Sequence, residues 1–435
     1  MKKLIKKLVP GFLFDIYHLF LAYFGAFLYG WPSKKMVVIG VLGTRGKTTT
    51  ADFIWSCLQA SGKKAGLTGT ANIRIGNQET LNPYHMTMPG RFILQKILRQ
   101  MVKSGCEYAV IETPSEGVEQ SRHKGIIYDV AVLTTLYPEY AEAHHWSWER
   151  TLAMHQKVFA DLGKQYRKKI NGREIPKIIV VQSDNALKDD FLKFNADKKI
   201  TYGISKKADF EAKYIESLDE GISFEVNGEK YELSLAGGFN VLNALAAVAA
   251  ATALGIPNET IKKGLLNLKK VAGRLEQISV GQTFHAIVDY AHDSVSLEAA
   301  LKAAKEIGKN SSKIILLLGA EGGGRDKKKR PIMGEVAAKL ADYVVVSNVD
   351  PYDDDPIEII EDIAAAAEKA GKKRNVDLFT IADRREGIRH ALKLAKTHDV
   401  VLITGKGAEQ SLIIKGKSYP WDDREVVRQE LLNIV

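Results

Sequence analysis

Short apolar runs alternate with segments of helical spacing along most of the chain. An unbroken apolar run at Met36–Leu42 is followed by a polar loop with two glycines, and then by apolar positions at helical spacing between residues 53 and 58. The last third repeats this alternation, with apolar runs at His285–Val288, Ile314–Leu318, Tyr343–Ser347, Val376–Thr380 and Val400–Thr404. Continuous runs are typical of strands buried on both faces, so the pattern predicts an α/β fold with two open, mostly parallel sheets.

The first 34 residues follow a different pattern. Four lysines precede an apolar and aromatic run from Phe12 to Tyr29, which is interrupted by Asp15 and His18 and followed by two more lysines. No small-residue cleavage site follows, which argues against a cleaved signal peptide. Three interpretations stay open: a helix docked on the body of the protein, a helix at the membrane surface, and a spanning helix in which Asp15 would be costly. A helix at the membrane surface would give the protein a peripheral membrane contact through residues 1–34.

The amino-acid composition limits the classes of protein to which the chain can belong. The chain has 435 residues, enough for about two to four domains, and its hydrophobic share of 45% is that of a folded soluble protein. The net charge is +10, but residues 1–35 contribute six lysines against one aspartate, so a general nucleic-acid surface is not indicated. Two cysteines, Cys57 and Cys106, cannot form a disulfide framework or a thiolate zinc site, which fits a reducing cytoplasm.

The loop after Met36–Leu42 has the residues of a phosphate-binding loop. It reads Gly43-Thr44-Arg45-Gly46-Lys47-Thr48-Thr49-Thr50. In such loops glycines let backbone N–H groups face the phosphates, the lysine reaches the β- and γ-phosphates, and the following hydroxyl can bind magnesium. Val41 stands where the full motif begins with glycine, but the strand before the loop and the helix after it are those that the motif requires. We therefore expect an ATP or GTP site at Gly43 to Thr49, with Lys47 and Thr48 at the phosphates and Mg²⁺.

Two further segments carry candidate metal ligands. A predicted strand at Tyr108–Ile111 places Glu112 at its C-terminal edge, where a second magnesium ligand is expected in such a sheet. A cluster within 12 residues contains His144, His145 and His155. This cluster has the chemistry for metal or phosphate handling, although solvated polar loops often have the same composition.

Polar residues and glycines also follow the predicted strands of the C-terminal third. They stand at Asp289–His292, Gly319–Arg330, Asp350-Pro351 and Gly405–Gly407. Because ligands bind outside the carboxyl ends of parallel strands, these segments are expected to form one face of a cleft.

Taken together, these segments resemble the Mur ligase family and, within it, the MurE branch. The similarity extends from about Met36 to the end of the chain, in the family's order. Gly43–Thr50 resembles the family's GTNGKTT segment, with Arg45 in place of the asparagine. The other matching segments are Leu67–Thr70, Met86–Pro89, Gly238–Ala244, Gly273–Glu276, Val288–His292, Gly323–Pro331, Asp383-Arg384 and Gly405–Gly407.

The resemblance implies a chain of three parts. Residues 1–34 would be an apolar and basic helical segment, residues 35–272 a central P-loop ATP-binding domain, and residues 273–435 a Rossmann-like C-terminal ligase domain. The usual N-terminal domain for a uridine nucleotide would be missing, since only about 35 residues precede the P-loop strand.

The resemblance also implies roles for individual residues. Lys47 and Arg274 would be catalytic cations, Asn240 or Asn243 would contact adenine, and Asp289 would contact the ribose. The implied substrate-binding residues are Thr70, Thr87, Pro89, Arg325, Asp350, Tyr352 and Glu409.

The implied reaction is ATP-dependent amide-bond formation in peptidoglycan synthesis. A carboxylate of a muramoyl-peptide substrate would attack the γ-phosphate to give an acyl phosphate, which the amine of a small-molecule amino acid then displaces. Magnesium and the two catalytic cations would neutralise phosphate charge, and closure of the domains would exclude water.

Departures from the family pattern leave some roles open. The histidine of the family's metal segment is not in place, and His144 or His145 would substitute for it. The lysine that the family carbamoylates to bridge magnesium falls on His155, with Lys157 two residues away. The segment that selects the amino acid reads Val349–Tyr352 and lacks the arginine that marks diaminopimelate users.

Two other functions compete with this interpretation. A related ligase could act on a lipid-linked or other carboxylate acceptor, given the apolar N-terminus. A non-catalytic, membrane-associated P-loop binding protein is the alternative from another class, because the metal segment is weakened.

Overall fold

A computed structural model describes residues 11–137, 147–218, 220–308 and 312–434 of the chain. Within these residues the chain forms two α/β units, each built around its own large sheet. Both sheets are covered by helices on their two faces, which explains why their central strands are continuously apolar.

The first unit contains the strands β1 (Val37–Leu42), β2 (Ala65–Thr68), β3 (Asn72–Ile75), β4 (Gln78–Leu81), β5 (Tyr108–Glu112), β6 (Val130–Leu133), β7 (Lys169–Ile170), β8 (Arg173–Glu174), β9 (Ile178–Gln182), β10 (Lys198–Gly203), β11 (Phe210–Leu218), β12 (Gly221–Val226) and β13 (Glu229–Leu233). Its helices are α1 (Gly11–Leu28), α2 (Lys47–Ala60), α3 (Arg91–Lys103), α4 (Ser115–Glu119), α5 (Trp148–Lys164), α6 (Lys188–Leu192), α7 (Phe239–Ala253) and α8 (Asn258–Asn267), and a 3₁₀ turn spans Pro32–Lys35.

The large sheet of the first unit has the strand order β13-β12-β11-β10-β9-β6-β1-β5-β2-β3-β4. Strand β1 lies between β5 and β6 and runs parallel to both. Val41 is level with Glu112 on β5, and Leu42 is level with Leu133 on β6. The loop after β1, the end of β5 and the residues after β6 therefore meet at one edge of the sheet.

The helices of the first unit form two cores against this sheet. Helices α2, α7 and α8 pack on one face, and α3 and α5 pack on the other. Helix α7 is rich in alanine and buried almost all round, because it fits between α2 and the sheet.

The second unit contains the strands β14 (Glu276–Ile278), β15 (His285–Asp289), β16 (Ile314–Leu318), β17 (Tyr343–Val346), β18 (Leu378–Thr380), β19 (Val400–Thr404), β20 (Ser411–Ile414) and β21 (Lys417–Pro420). Its helices are α9 (Ser294–Gly308), α10 (Lys329–Leu340), α11 (Pro356–Lys369), α12 (Arg384–Leu394) and α13 (Asp423–Leu432).

The sheet of the second unit has the order β14-β15-β19-β16-β17-β18, with only β14 antiparallel to its neighbour. The α/β class and the mostly parallel sheets are confirmed. Strand β18 begins at Leu378, two residues later than predicted. The reason is a turn in which the amides of Val376 and Asp377 bond to the carbonyl of Lys373, leaving Val376 exposed.

Arg384 holds together the loops that follow three strands of this sheet. Its guanidinium forms a buried ion pair with Asp423 and donates to the carbonyl oxygens of Asn348 at 2.9 Å and Thr404 at 2.8 Å. These contacts fix the loops after β17 and β19 next to each other, where the polar segments of the C-terminal third come together.

Candidate active site

A cleft of about 540 Å³ lies between the two units. From the first unit it is lined by Thr44, Arg45, Gly46, Lys47, Thr48, Thr49, Thr70, Thr87, Glu112, Asn240 and Asn243. From the second unit it is lined by Arg274, Asp289, Arg325, Asp350, Tyr352 and Glu409. Most of the residues expected to bind nucleotide or substrate are thus brought to one cavity.

Two glycines give the P-loop its shape. Gly43 has φ +129°, and a Cβ there would lie 2.2 Å from the Thr134 hydroxyl. Gly46 has φ +81° at the start of α2, and a Cβ there would lie 2.4 Å from Oδ1 of Asn243. Side chains are therefore excluded at both positions by conformation and by space, so the backbone is free to face a phosphate.

The P-loop lysine and threonine lie beside the acidic end of β5. The Lys47 ammonium donates to the carbonyl oxygens of Gly43 at 2.8 Å and Thr44 at 3.1 Å. The Thr48 hydroxyl lies 3.1 Å from Oε2 of Glu112, which is fully buried and also accepts from the amide of Thr70 at 2.8 Å. Burial lowers the pKa of Lys47, although Glu112 and Glu116 act against that shift.

A second pair of threonines extends this network. The Thr70 hydroxyl lies 3.1 Å from Glu112 and 2.9 Å from the Thr87 hydroxyl. Pro89 is buried and, like Gly43, is not part of the cleft lining.

Two arginines cross between the units in opposite directions. Arg45 extends from the P-loop to the start of α9, where it pairs with Asp293 at 2.6 Å and donates to Ser296 at 3.1 Å. Arg274 extends from the second unit to the P-loop and donates to the Thr48 hydroxyl at 3.2 Å. Its guanidinium also lies 4.3 Å from the ring centre of Tyr290. The units are therefore in contact at the position of the candidate phosphates.

The residues expected at adenine and ribose are held by local hydrogen bonds. Asn243 donates to Asn240 at 2.9 Å, and Asn240 donates to the carbonyl of Ala236 at 2.6 Å. The Asp289 carboxylate accepts from the backbone amides of Leu275 and Ala291, both at 2.8 Å. Burial raises the pKa of Asp289, and the nearby Arg274 opposes that shift.

The far end of the cleft is built around Lys406. Its ammonium is fully buried and lies 2.8 Å from Asp350 and 2.7 Å from Glu409. Burial acts against the charge, but the two carboxylates outweigh it and raise the pKa of Lys406. The Tyr290 hydroxyl donates to Glu409 at 3.2 Å, and His85 of the first unit lies 3.7 Å from Asp350.

His85, Asp350 and Glu409 could together supply three metal ligands. The Lys406 ammonium already lies between the two carboxylates and balances one of their two negative charges, so this group does not fit a divalent metal ion. Close by, Arg325 lies 6.0 Å from the ring of Tyr352, on the other side of the same loop region.

His155, the residue expected at the position of the family's bridging lysine, is fully buried on α5. Both ring nitrogens of His155 lack a hydrogen-bond partner among the described residues. Burial, aided by the charge of Lys47, lowers the pKa of His155 to about 3, against the influence of Glu116. Lys157 is exposed on α5, and neither His155 nor Lys157 is part of the cleft lining. His144 and His145 lie outside the described residues.

The oxygen atoms of Thr48 and Glu112 fit a magnesium ion. Hydroxyl and carboxylate oxygens are the ligands that Mg²⁺ takes in phosphate sites, and here they lie 3.1 Å apart at the end of β5.

Several residues of the site were not found from the sequence. Glu116, His85 and the Arg45 partners Asp293 and Ser296 all line the cleft. Glu116 follows β5 by four residues, so its position at a strand end was a usable signal. Asp293 follows β15 by four residues in the same way, whereas His85 and Ser296 carry no local signal and are brought to the cleft by the folding of distant segments.

Comparison with known proteins gives a consistent result. The Mur ligase middle domain matches residues 41–251, and the Mur ligase, glutamate ligase domain matches residues 273–407. A UDP-N-acetylmuramoyl-L-alanyl-D-glutamate–2,6-diaminopimelate ligase of Geobacillus kaustophilus is 37% identical over 92% of this chain and 80% of its own length. A UDP-N-acetylmuramyl-tripeptide synthetase of a Roseiflexus species is 34% identical over 95% of this chain and 82% of its own.

A solved structure of a UDP-N-acetylmuramoyl-L-alanyl-D-glutamate–2,6-diaminopimelate ligase is also similar. It has a TM-score of 0.60 and 28% identity, over 92% of this chain and 79% of that structure. The residues matched by the two family domains include the P-loop, β5 and the ends of β15, β16, β17 and β19. The chain belongs to the Mur ligase family.

Proposed function

We propose that the protein is an ATP-dependent, ADP-forming ligase that joins an amino acid to a muramoyl-peptide precursor of peptidoglycan. The observation that carries the proposal is the contact of Arg274 with Thr48 beside Glu112. It brings a cation of the second unit to the phosphate-binding loop of the first, in the same cavity as Asp350 and Glu409. Relatives with names of this activity match over nine-tenths of the chain.

The residues of the P-loop end would bind ATP and orient its γ-phosphate. Thr48 and Glu112 would hold Mg²⁺, which when bound supplies positive charge at the phosphate oxygens. Lys47 and Arg274 would add positive charge where negative charge accumulates as the substrate carboxylate attacks phosphorus. Asn240 or Asn243 would contact adenine, and Asp289 would accept hydrogen bonds from the ribose hydroxyls.

The residues of the far end would position the amine. Asp350 and Glu409 offer carboxylate oxygens to an ammonium group, whereas Arg325 and Tyr352 offer donors to a carboxylate. Thr70 and Thr87 lie between the two ends and would contact the muramoyl-peptide. With both units closed on the substrates, water would be kept from the acyl phosphate.

The test is a screen of acceptors and amines, with phosphate release as the measurement. We expect release only when ATP, a muramoyl-peptide with a free carboxylate and an amino acid are all present, with formation of one amide bond per phosphate. ATP hydrolysis that is indifferent to both substrates would contradict the ligase. Parallel assays with UDP-linked and lipid-linked acceptors distinguish the leading proposal from a ligase of membrane-bound precursors.

We also infer that the enzyme acts in the cytoplasm and touches the membrane peripherally through residues 1–34. Support comes from the two buried free thiols and from α1, whose large side chains are mostly exposed. Among the described residues, no helix has the length and apolar character needed to cross a bilayer. Flotation of the full chain with vesicles of phosphatidylcholine and phosphatidylserine tests this contact, and an absence of flotation contradicts it.

A further inference from the structure

Helix α1 presents a continuous apolar face to solvent. Nine large apolar or aromatic side chains between Leu13 and Leu28 are 38% to 69% exposed. They are Leu13, Ile16, Tyr17, Leu19, Phe20, Tyr23, Phe24, Phe27 and Leu28. Most recur at intervals of three and four residues, which places them on one side of the helix. We call this set the α1 apolar face; a surface of this kind marks a site of interaction.

The opposite side of α1 is fixed to the body of the protein by small residues. Ala22 and Ala26 are fully buried, and a Cβ added to Gly125 would lie 2.9 Å from the Ala22 carbonyl oxygen. At the edge of the α1 apolar face, the partly exposed ring of Phe24 also packs edge-on against that of Phe92 on α3, at 6.1 Å. This close approach holds the helix in a defined orientation, so its exposed side is a rigid surface.

A row of cations lies directly beside the end of this face. Lys96, Arg99 and Lys103 follow one another at helical spacing on α3, and with Phe27 and Leu28 they line a hollow of about 500 Å³. None of these three cations forms an ion pair with a described residue, unlike Lys63, which pairs with Glu107. We call them the α3 basic row.

We propose that the α3 basic row binds the phosphate groups of an anionic phospholipid bilayer while the α1 apolar face lies at the depth of the acyl-chain boundary. This inference rests on the peripheral membrane contact proposed above, and it adds the site and the chemistry of the ligand. Charge complementarity supports it, because three unneutralised cations border an apolar surface. Lys34 and Lys35 extend the basic border beyond the end of α1.

A second copy of this chain is the less suitable occupant of the same surface. Pairing two copies through this surface would add a second set of cations and supply no phosphate to neutralise either set. An anionic leaflet neutralises the cations and buries the apolar side chains at the same time. The surface thus fits a bilayer better than it fits itself.

The experiment compares two triple variants of the full chain. Lys96→Glu, Arg99→Glu and Lys103→Glu together reverse the row, and Lys206→Glu, Lys207→Glu and Lys263→Glu make the same change of net charge at exposed lysines elsewhere. Binding to vesicles of three parts phosphatidylcholine and one part phosphatidylserine is measured by flotation. Because each lost cation weakens binding roughly fivefold, we expect the row variant to bind at least about 100-fold more weakly and the control to bind like the original.

Each other outcome has a defined meaning. If the original protein floats and the row variant floats equally well, the row is not the headgroup site, although the membrane contact stands. If soluble glycerophosphoserine alone displaces the protein from vesicles, the hollow is a small-anion site and the bilayer is excluded as its ligand. If the original protein does not bind vesicles and is a dimer that the double variant Phe20→Ser and Phe27→Ser converts into a monomer, the α1 apolar face binds a second copy of the chain.

Melting temperatures of all variants verify folding, and phosphate release with soluble substrates reports the ligase activity independently.

Discussion

At the P-loop end of the cleft the Lys47 ammonium lies on backbone carbonyl oxygens, whereas at the far end the Lys406 ammonium is enclosed between two carboxylates. A phosphate can replace carbonyl oxygens as the partner of Lys47, because a charged acceptor is the stronger one. The carboxylates at the far end are already paired with Lys406 and fixed. The comparison indicates that the nucleotide end rearranges on binding, whereas the amino-acid end is preorganised before any substrate arrives.

The largest expected effect comes from removing the P-loop cation. Lys47→Ala should lower the rate of phosphate release by ~10³-fold, since it removes a charge at the γ-phosphate that nearby residues cannot replace. The melting temperature should change little, because the Lys47 ammonium is held by carbonyl oxygens of its own loop. Lys63→Ala, at an exposed ion pair, is the matched control and should keep full activity. Full turnover in the Lys47 variant would remove the ATP site from the proposal.

Removing the cation at the far end should act first on stability. Lys406→Met leaves Asp350 and Glu409 buried without their partner, which costs about 3 kcal/mol in the free energy of unfolding. Chemical denaturation measures this change, and Lys417→Met at an exposed position serves as the control. A loss of activity with unchanged stability would show instead that Lys406 contacts substrate and is not a preorganised support.

His155 provides a test of the metal arrangement behind the P-loop. His155→Ala should lower the rate of product formation by ~10 to 100-fold, as for residues that support a metal site, whereas Lys157→Ala should have almost no effect. The reverse result, with rescue of Lys157→Ala by short carboxylates, would assign the bridging role to Lys157. Assays with and without bicarbonate give the same distinction, since a histidine cannot be carbamoylated.

The same side chain should also affect stability in acid. The pKa of His155 is about 3 in the folded protein, below its ordinary value of 6.5, so the unfolded chain binds more protons between these two values. Stability should therefore fall as the pH is lowered from about 6.5 toward 3. In His155→Phe, measured without nucleotide or metal, this part of the decrease should be absent. An identical pH profile for both proteins would contradict the buried, neutral histidine.

The smallest expected effect is at the contact between the units. The Arg45–Asp293 pair is partly exposed, so Arg45→Asn should weaken the closed arrangement by only about 0.5 to 1 kcal/mol. A double-mutant cycle with Asp293→Asn, read out as KM for ATP, isolates this coupling from other effects of Arg45. Arg167→Asn, which breaks an exposed pair with Asp197, is the control. Strictly additive effects in the cycle would mean that the pair does not contribute to closure.

Local sequence patterns were sufficient to predict the half of the site around the P-loop. The strand, the glycine loop and the helix are contiguous, and the parallel arrangement of β1 and β5 then brings Glu112 to Thr48. The contacts of Arg45 with α9 and of His85 with Asp350 join residues separated by about 250 positions, and no periodicity encodes them. The enclosed position of Lys406 was missed for a similar reason, because its sequence neighbours do not reveal which carboxylates surround it.

The distribution of the site over two sheets has a consequence for kinetics. Lys47, Thr48 and Glu112 all belong to the first unit and are expected to keep their geometry when the units separate, whereas Asp350, Lys406 and Glu409 belong to the second. An open enzyme therefore retains most of the phosphate-binding groups but presents the amino-acid residues far from them. We expect an ordered sequence in which ATP binds first and the amine last. The acyl group would then be activated only when the site for the amine is about to close.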